Sequence, residues 1–175
     1  MLRTRTMSPE DFHRYADAHP DVRFDFMDGE LVEVSPKPLH GRLQAKLAAL
    51  FINWLEANPV GVVHTETLHV LNGEKFIPDV SINPTAADDH AYFGAQPLLV
   101  VEVRSDTQSR EAQRRKALRY LSHDVPAVLV VMPDEQIELF TPQTGDSPLV
   151  YKAGQVVGNI PGCDGLTIDV DGALG

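Results

Sequence analysis

The chain has 175 residues, 43% of them hydrophobic, and a formal charge of −10 from 15 Lys plus Arg against 25 Asp plus Glu. That length fits one globular domain spanning residues 1–175, and the acidic balance argues against a protein coated for nonspecific nucleic-acid binding, which draws on many Lys and Arg contacts to phosphate. No apolar run approaches the roughly 18 residues of a membrane span, and the single cysteine, Cys163, excludes an internal disulfide framework and a cysteine-based zinc cluster, so a soluble, cytoplasmic protein with no membrane partner is the expectation.

"MSPEDFHRYADAH" has Ser8 as N-cap, Pro9 at the first helical position and Asp11 three residues after the cap, which together predict a helix start. Phe12, Tyr15 and Ala16 supply its apolar stripe. "VRFDFMDGELVEVSP" alternates on either side of Asp28-Gly29 and predicts a hairpin. In "LHGRLQAKLAALFINWLEANP", Leu43, Leu47, Leu50, Phe51, Trp54 and Leu55 recur at helical spacing, and the helix stops before Pro59. "GVVHTETLHVL" and "EKFIPDVSI" then read as two strands joined by an Asn72-Gly73 turn, with His64 and His69 on an exposed face. "PLLVVEV" is a near-continuous apolar run that suits a central strand. A helix over about 109–122 and the buried strand "VPAVLVVMP" follow, so the order predicts a parallel crossover. "QIELF", "LVYKAG" and "GLTIDV" read as short antiparallel or edge strands. The expected fold class is α/β (α+β), a mixed sheet with helices against it.

Two acids stand out against this background. Asp79 follows a proline inside a strand-like run, and Glu102 lies among strong strand formers, where an unpaired charge costs several kcal/mol. Two carboxylates brought together repel, so either one is protonated or a cation sits between them. With oxygen ligands and no cysteine cluster, that cation would be hard, Mg²⁺ or Mn²⁺, able to polarise a phosphoryl oxygen and acidify a water. Lys116 shares a helical stripe with Ala112 and Tyr120, and its long stem can carry an amine toward the pair. A salt bridge from Lys116 or Arg104 to Glu102 is the competing structural reading. Six of the basic residues, Arg104, Arg110, Arg114, Arg115, Lys116 and Arg119, fall in one short segment, either a solvated helix face or a local nucleic-acid contact.

The succession "MDGELVEVSP", "LHGRLQAKL", "IPDVSI", "LLVVEVRSDT", "KALRYLSHDVP" and "IPGCDGLTI" resembles the Uma family of endonucleases, within the restriction-endonuclease-like PD-(D/E)XK superfamily. The resemblance covers nearly the whole chain. Pro78-Asp79 stands for "PD" and Glu102-Val103-Arg104 for "(D/E)XK", with Arg at the lysine position and Lys116 on the following helix in its place. It implies a restriction-endonuclease-like mixed sheet flanked by helices, and a metal held by Asp79, Glu102 and the Val103 carbonyl. Lys116 would orient or activate the attacking water. Glu30 would reach the metal or its water shell, His40 would contact substrate phosphate or a neighbouring group, and Arg104 would clamp phosphate, though guanidinium cannot serve as the base. Two departures stand beside these matches: Ala112 where an Asp is usual, and "AVLVVMP" where the family carries an aromatic-rich strand. The activity implied is metal-dependent hydrolysis of phosphodiesters, most plausibly in DNA, by a homodimer. The alternatives are a nuclease-fold binding module without cleavage and a metal-dependent hydrolase of a smaller phosphoester. Glu66 could join the cluster, while Tyr120 reads as core.

Overall fold

A computed structural model describes residues 5–19, 23–27, 30–34, 38–84, 94–105, 108–133 and 135–175. After the short strand β1 (Arg5–Thr6), helix α1 (Pro9–Ala18) starts where the sequence places it. The Ser8 hydroxyl accepts the Asp11 N–H at 3.1 Å and donates to the Asp11 carboxylate at 2.8 Å, which satisfies one of the helix's orphan donors. Strands β2 (Arg23–Met27) and β3 (Glu30–Val34) pair antiparallel with Met27 opposite Glu30; the turn residues themselves fall outside the described residues. Helix α2 (Pro38–Ala57) follows and ends short of Pro59.

The next stretch departs from the expectation of two long strands. Four short ones form instead: β4 (Gly61–Thr65), β5 (His69–Leu71), β6 (Glu74–Phe76) and β7 (Val80–Pro84). The breaks have local causes. Glu66 adopts a left-handed backbone, φ 51°, a conformation uncommon for a non-glycine residue, and Pro78 has no N–H with which to continue a ladder. The Asn72-Gly73 turn is as predicted, with both residues at positive φ, 50° and 85°, as a two-residue hairpin of the I′ kind requires.

Strand β8 (Leu99–Val103), helix α3 (Arg110–Leu121, capped by the Ser109 hydroxyl) and strand β9 (Val128–Met132) form the expected crossover, and β8 and β9 are parallel. Strands β10 (Gln136–Phe140) and β11 (Leu149–Tyr151) extend the sheet, β12 (Val156–Val157) pairs with β13 (Ile168–Asp169), and helix α4 (Val170–Leu174) closes the chain. A six-stranded mixed sheet results, in the order β11-β10-β9-β8-β7-β4, beside a five-stranded sheet, β1-β3-β2-β6-β5. Strand β10 is fully buried between β9 and β11 rather than at an edge. Its polar residues Gln136 and Glu138 suggest exposure, but Arg114 of α3 covers Glu138 with two hydrogen bonds, 2.8 and 2.7 Å. Helix α4 carries too short an apolar pattern to announce itself.

Alternation along β8 divides the core. Leu99, Val101 and Val103 pack with Leu43, Leu47, Phe51 and Leu55 of α2 on one face. Val100 packs on the other face with Val128, Val130, Phe140 and with Ala117 and Tyr120 of α3. Each fully buried Leu, Phe or Val side chain contributes about 1.5–3 kcal/mol, so β8 and β9 are locked from both sides. Glu102 alternates with Val101 and Val103 and therefore faces α3.

His69 and His64 are not on an exposed face. His69 is fully buried and His64 half-buried, because Asn83 of β7 links both rings, at 2.8 and 3.2 Å, while the Thr67 carbonyl takes the other His69 nitrogen at 2.9 Å. Burial lowers the His69 pKa from its ordinary 6.5, against the raising effect of its bonds to Asn83 and Thr67. A histidine whose folded pKa is depressed resists protonation, so its contribution is present in full above pH 6.5 and is lost as pH falls below it. The unfolding free energy should therefore fall on acidification through that range, by at most about 1.4 kcal/mol per pH unit for one proton, and the melting temperature should fall with it. His69→Gln should flatten the drop. An unchanged acid limb in that variant would remove His69 as its cause.

Candidate active site

Asp79 and Glu102 lie on adjacent strands' backbones because β7 and β8 are antiparallel with Val80 opposite Val101, which sets the residue before β7 beside the end of β8. The Asp79 carboxylate accepts the Val103 N–H at 2.6 Å through one oxygen, and its other oxygen meets His40 Nε2 at 3.0 Å. One helical turn along α2, the Gln44 amide donates to the Asp79 carbonyl at 2.9 Å. The Glu66 N–H also bonds the Pro78 and Asp79 carbonyls. Asp79 is thus clamped through side chain and backbone, which answers why an acid tolerates this position.

Glu102 is 3% exposed and is compensated from α3. Lys116 Nζ donates to one carboxylate oxygen at 2.9 Å, and the Tyr120 hydroxyl donates to the other at 2.8 Å. Lys116 is itself 4% exposed. The predicted stripe of positions 112, 116 and 120 delivers both groups, because residues four apart lie on one helical face. Tyr120 reads as core from the sequence, and it is fully buried against Phe76. Its hydroxyl is nonetheless part of the site. The signal was available, since a buried tyrosine hydroxyl needs a partner.

His40 contacts the aspartate rather than open space. Burial would lower its pKa, but the hydrogen bond and charge of Asp79, with Glu66 further off, outweigh that and leave it above 6.5. Its bond to Asp79 is therefore strengthened below pH 6.5 and weakens as pH rises through the raised value. Glu66, left at the margin of the cluster by sequence, lies close enough to act on His40 electrostatically. Strand β3 begins at Glu30, but its side chain is outside the described residues. Arg104 leaves β8 and bonds Glu135 at 3.3 Å, and Arg110 pairs with the same carboxylate.

The basic run is largely neutralised within the fold. Arg114 pairs with Glu138, Arg119 with Glu74, and Arg110 with Glu135. Among the described residues, Arg115 is the one arginine of α3 that is exposed and carries no side-chain partner. The acids that cancel the run lie far off in sequence, on β6, β10 and the turn before β10.

The donor set suits a hard cation in kind. Among the described residues no three His, Cys, Asp or Glu side chains gather into a metal cage, but Mg²⁺ is commonly held by one or two carboxylates with water completing the shell. Asp79, Glu102 and the Val103 carbonyl supply oxygen donors of that type. Lys116 supplies a cationic charge to Glu102.

A family model described as "Uma2: Putative restriction endonuclease" matches residues 9–170. Among solved structures, the chain is similar to a crystal structure of "a putative nuclease belonging to DUF820" from Anabaena variabilis, with a TM-score of 0.76, 16% sequence identity, and coverage of 86% of this chain and 89% of that one. At that identity the likeness concerns the fold, which is nuclease-like. No curated protein matches the chain. The match over 9–170, with Asp79, Glu102 and the helix-borne lysine inside it, makes this chain a member of the Uma2 restriction-endonuclease family.

Proposed function

We propose that the protein is a metal-dependent endonuclease that hydrolyses phosphodiester bonds in DNA, using Mg²⁺ or Mn²⁺ and working as a homodimer whose subunits each cut one strand. The observation that carries this reading is the placing of two buried acids on neighbouring backbone positions at the junction of β7 and β8, Asp79 bonded to the Val103 N–H and Glu102 carrying the Lys116 ammonium. Pure structural stability does not call for such a cluster, since buried ion pairs seldom outperform apolar packing.

Asp79, Glu102 and the Val103 carbonyl would hold the ion, which when bound polarises the phosphoryl group and acidifies water. The chain's own residues do the positioning. Asp79 is fixed by the Val103 N–H and His40, so its oxygens are aimed before any ligand arrives. Tyr120 holds one oxygen of Glu102 and leaves the other to a cation. Lys116 carries a proton donor at Nζ beside Glu102, able to orient an attacking water or steady charge on phosphate. Glu30 and Arg104 are assigned to the water shell and to phosphate, as the family resemblance implies. Incubation with supercoiled plasmid and with single-stranded DNA, in Mg²⁺, in Mn²⁺ and in EDTA, tests the reading. Nicking or linearisation that chelation abolishes is the expected outcome, and no cutting under any of these conditions would overturn it.

A second reading, a metal-dependent hydrolase of a smaller phosphoester, draws support from the pairing of Arg110, Arg114 and Arg119 within the fold and from the charge of −10, both of which weaken attraction for a duplex. Both readings need some phosphate contact, and Arg115 is available for it. Arg115→Ala should weaken DNA binding at all sequences alike and reduce the slope of log K against log salt by about 0.9. An unchanged slope would move the contact off α3.

A further inference from the structure

We propose that Gln113 is a positioning residue that gives Lys116 a second seat, so that the ammonium can leave Glu102 when a divalent cation takes that carboxylate. The proposal rests on the metal-dependent reading above and goes beyond it by assigning the lysine two positions. Lys116 and a metal ion would both draw on the same oxygen of Glu102, and a carboxylate oxygen facing both would set two positive charges against each other. The displaced ammonium must keep a hydrogen-bond acceptor, because it starts from a site only 4% exposed.

Gln113 is suited to that role. It lies one helical turn before Lys116, and the buried side of α3 comprises Gln113, Lys116, Ala117 and Tyr120, so the two side chains share a face. Gln113 is 2% exposed, and its Oε1 has no hydrogen-bond partner among the described residues. Unpaired buried carbonyl oxygens are uncommon and costly. The orphan atom is the oxygen and not the nitrogen, for a structural reason. Gln108 Oε1 accepts the Ser105 N–H, so it is an oxygen, and the Gln113 atom bonded to that same Oε1 must be the amide nitrogen. The Gln108 contact thus ties the nitrogen of the Gln113 amide to the segment after β8 and leaves its oxygen as an acceptor on a residue that shares the buried side of α3 with Lys116.

The test is a double-mutant cycle read by Mn²⁺ affinity, from the electron paramagnetic resonance of free Mn²⁺, with the full chain and no nucleic acid. Gln113→Met should weaken Mn²⁺ binding about tenfold, because the displaced lysine loses its acceptor. Lys116→Gln should bind Mn²⁺ about tenfold more tightly, because the internal competitor is gone. Adding Gln113→Met to Lys116→Gln should then change nothing. Equal losses in both backgrounds would show Gln113 to be merely structural and would overturn the proposal, as would an unaltered affinity in the single variant. Gln113→Asn keeps an amide but withdraws its oxygen by one methylene, and it should reproduce the loss should the methionine variant fail to fold. Native protein that binds no Mn²⁺ would overturn the metal-dependent reading together with this one, whereas native binding with a failed cycle would overturn this one alone.

Discussion

Asp79→Asn should abolish metal-dependent cutting of plasmid DNA, by about 10³-fold or more, while leaving the chain folded. The argument starts from the two oxygens of this side chain. One accepts the Val103 N–H at 2.6 Å, and an asparagine oxygen can accept the same bond. The other meets His40 Nε2 at 3.0 Å, and an asparagine NH₂ placed there can donate to that nitrogen once the ring adopts its other neutral tautomer. The local packing therefore survives. What is lost is the negative charge that would hold a divalent ion and the firm hold on the phosphoryl group that it gives, interactions of the kind whose single removal costs 10²–10³-fold or more. A melting curve close to native beside a null cutting assay would meet the prediction. Retained cutting would remove Asp79 from the mechanism.

Lys116→Ala should be the most destabilising single change at the site, at about 3–5 kcal/mol, because it leaves a deeply buried carboxylate with the Tyr120 hydroxyl but without its ion-pair partner. For a domain of this size that corresponds to a fall in melting temperature of about 2–4 °C for each kcal/mol. The converse is equally informative. Glu102→Leu, Lys116→Met and Tyr120→Phe combined remove charge, counter-charge and hydroxyl together, and the combined variant should recover native stability or exceed it. Such a result would show that this polar cluster is retained at the expense of stability. A single Lys116→Ala with unchanged melting behaviour would instead mean that Glu102 is protonated in the native protein.

Strong local patterns were readable from the chain alone. Ser8, Pro9 and Asp11 mark a helix start because capping involves neighbours three residues apart. Asn72-Gly73 marks a hairpin because few residues accept positive φ. The apolar runs of β8 and β9 and the helix between them imply a parallel crossover, since a strand covered on both faces needs apolar residues at every position. The acids of the site were legible for a related reason. A charge inside such a run is costly without a partner, so Asp79 and Glu102 stood out, and the 116/120 stripe pointed to where the partner lies.

Other features were decided by contacts between residues distant in sequence. The split of the middle strands turned on the backbone of Glu66, whose left-handed conformation is held by the carbonyls of Pro78 and Asp79. The burial of β10 turned on Arg114 reaching Glu138 across 24 positions, and the cancellation of the basic run turned on Glu74, Glu135 and Glu138. Neither event leaves a periodic trace, because periodicity records which face of an element is buried and not which charge lies opposite. The same limit applies to Tyr120, His40 and Gln113. Sequence determined that this protein has a restriction-endonuclease-like sheet with one acid just before a strand, a second within the next strand and a lysine on the following helix; only the tertiary structure decided which groups hold those acids, because hydrogen-bond partners are set by the three-dimensional register of strands and helices.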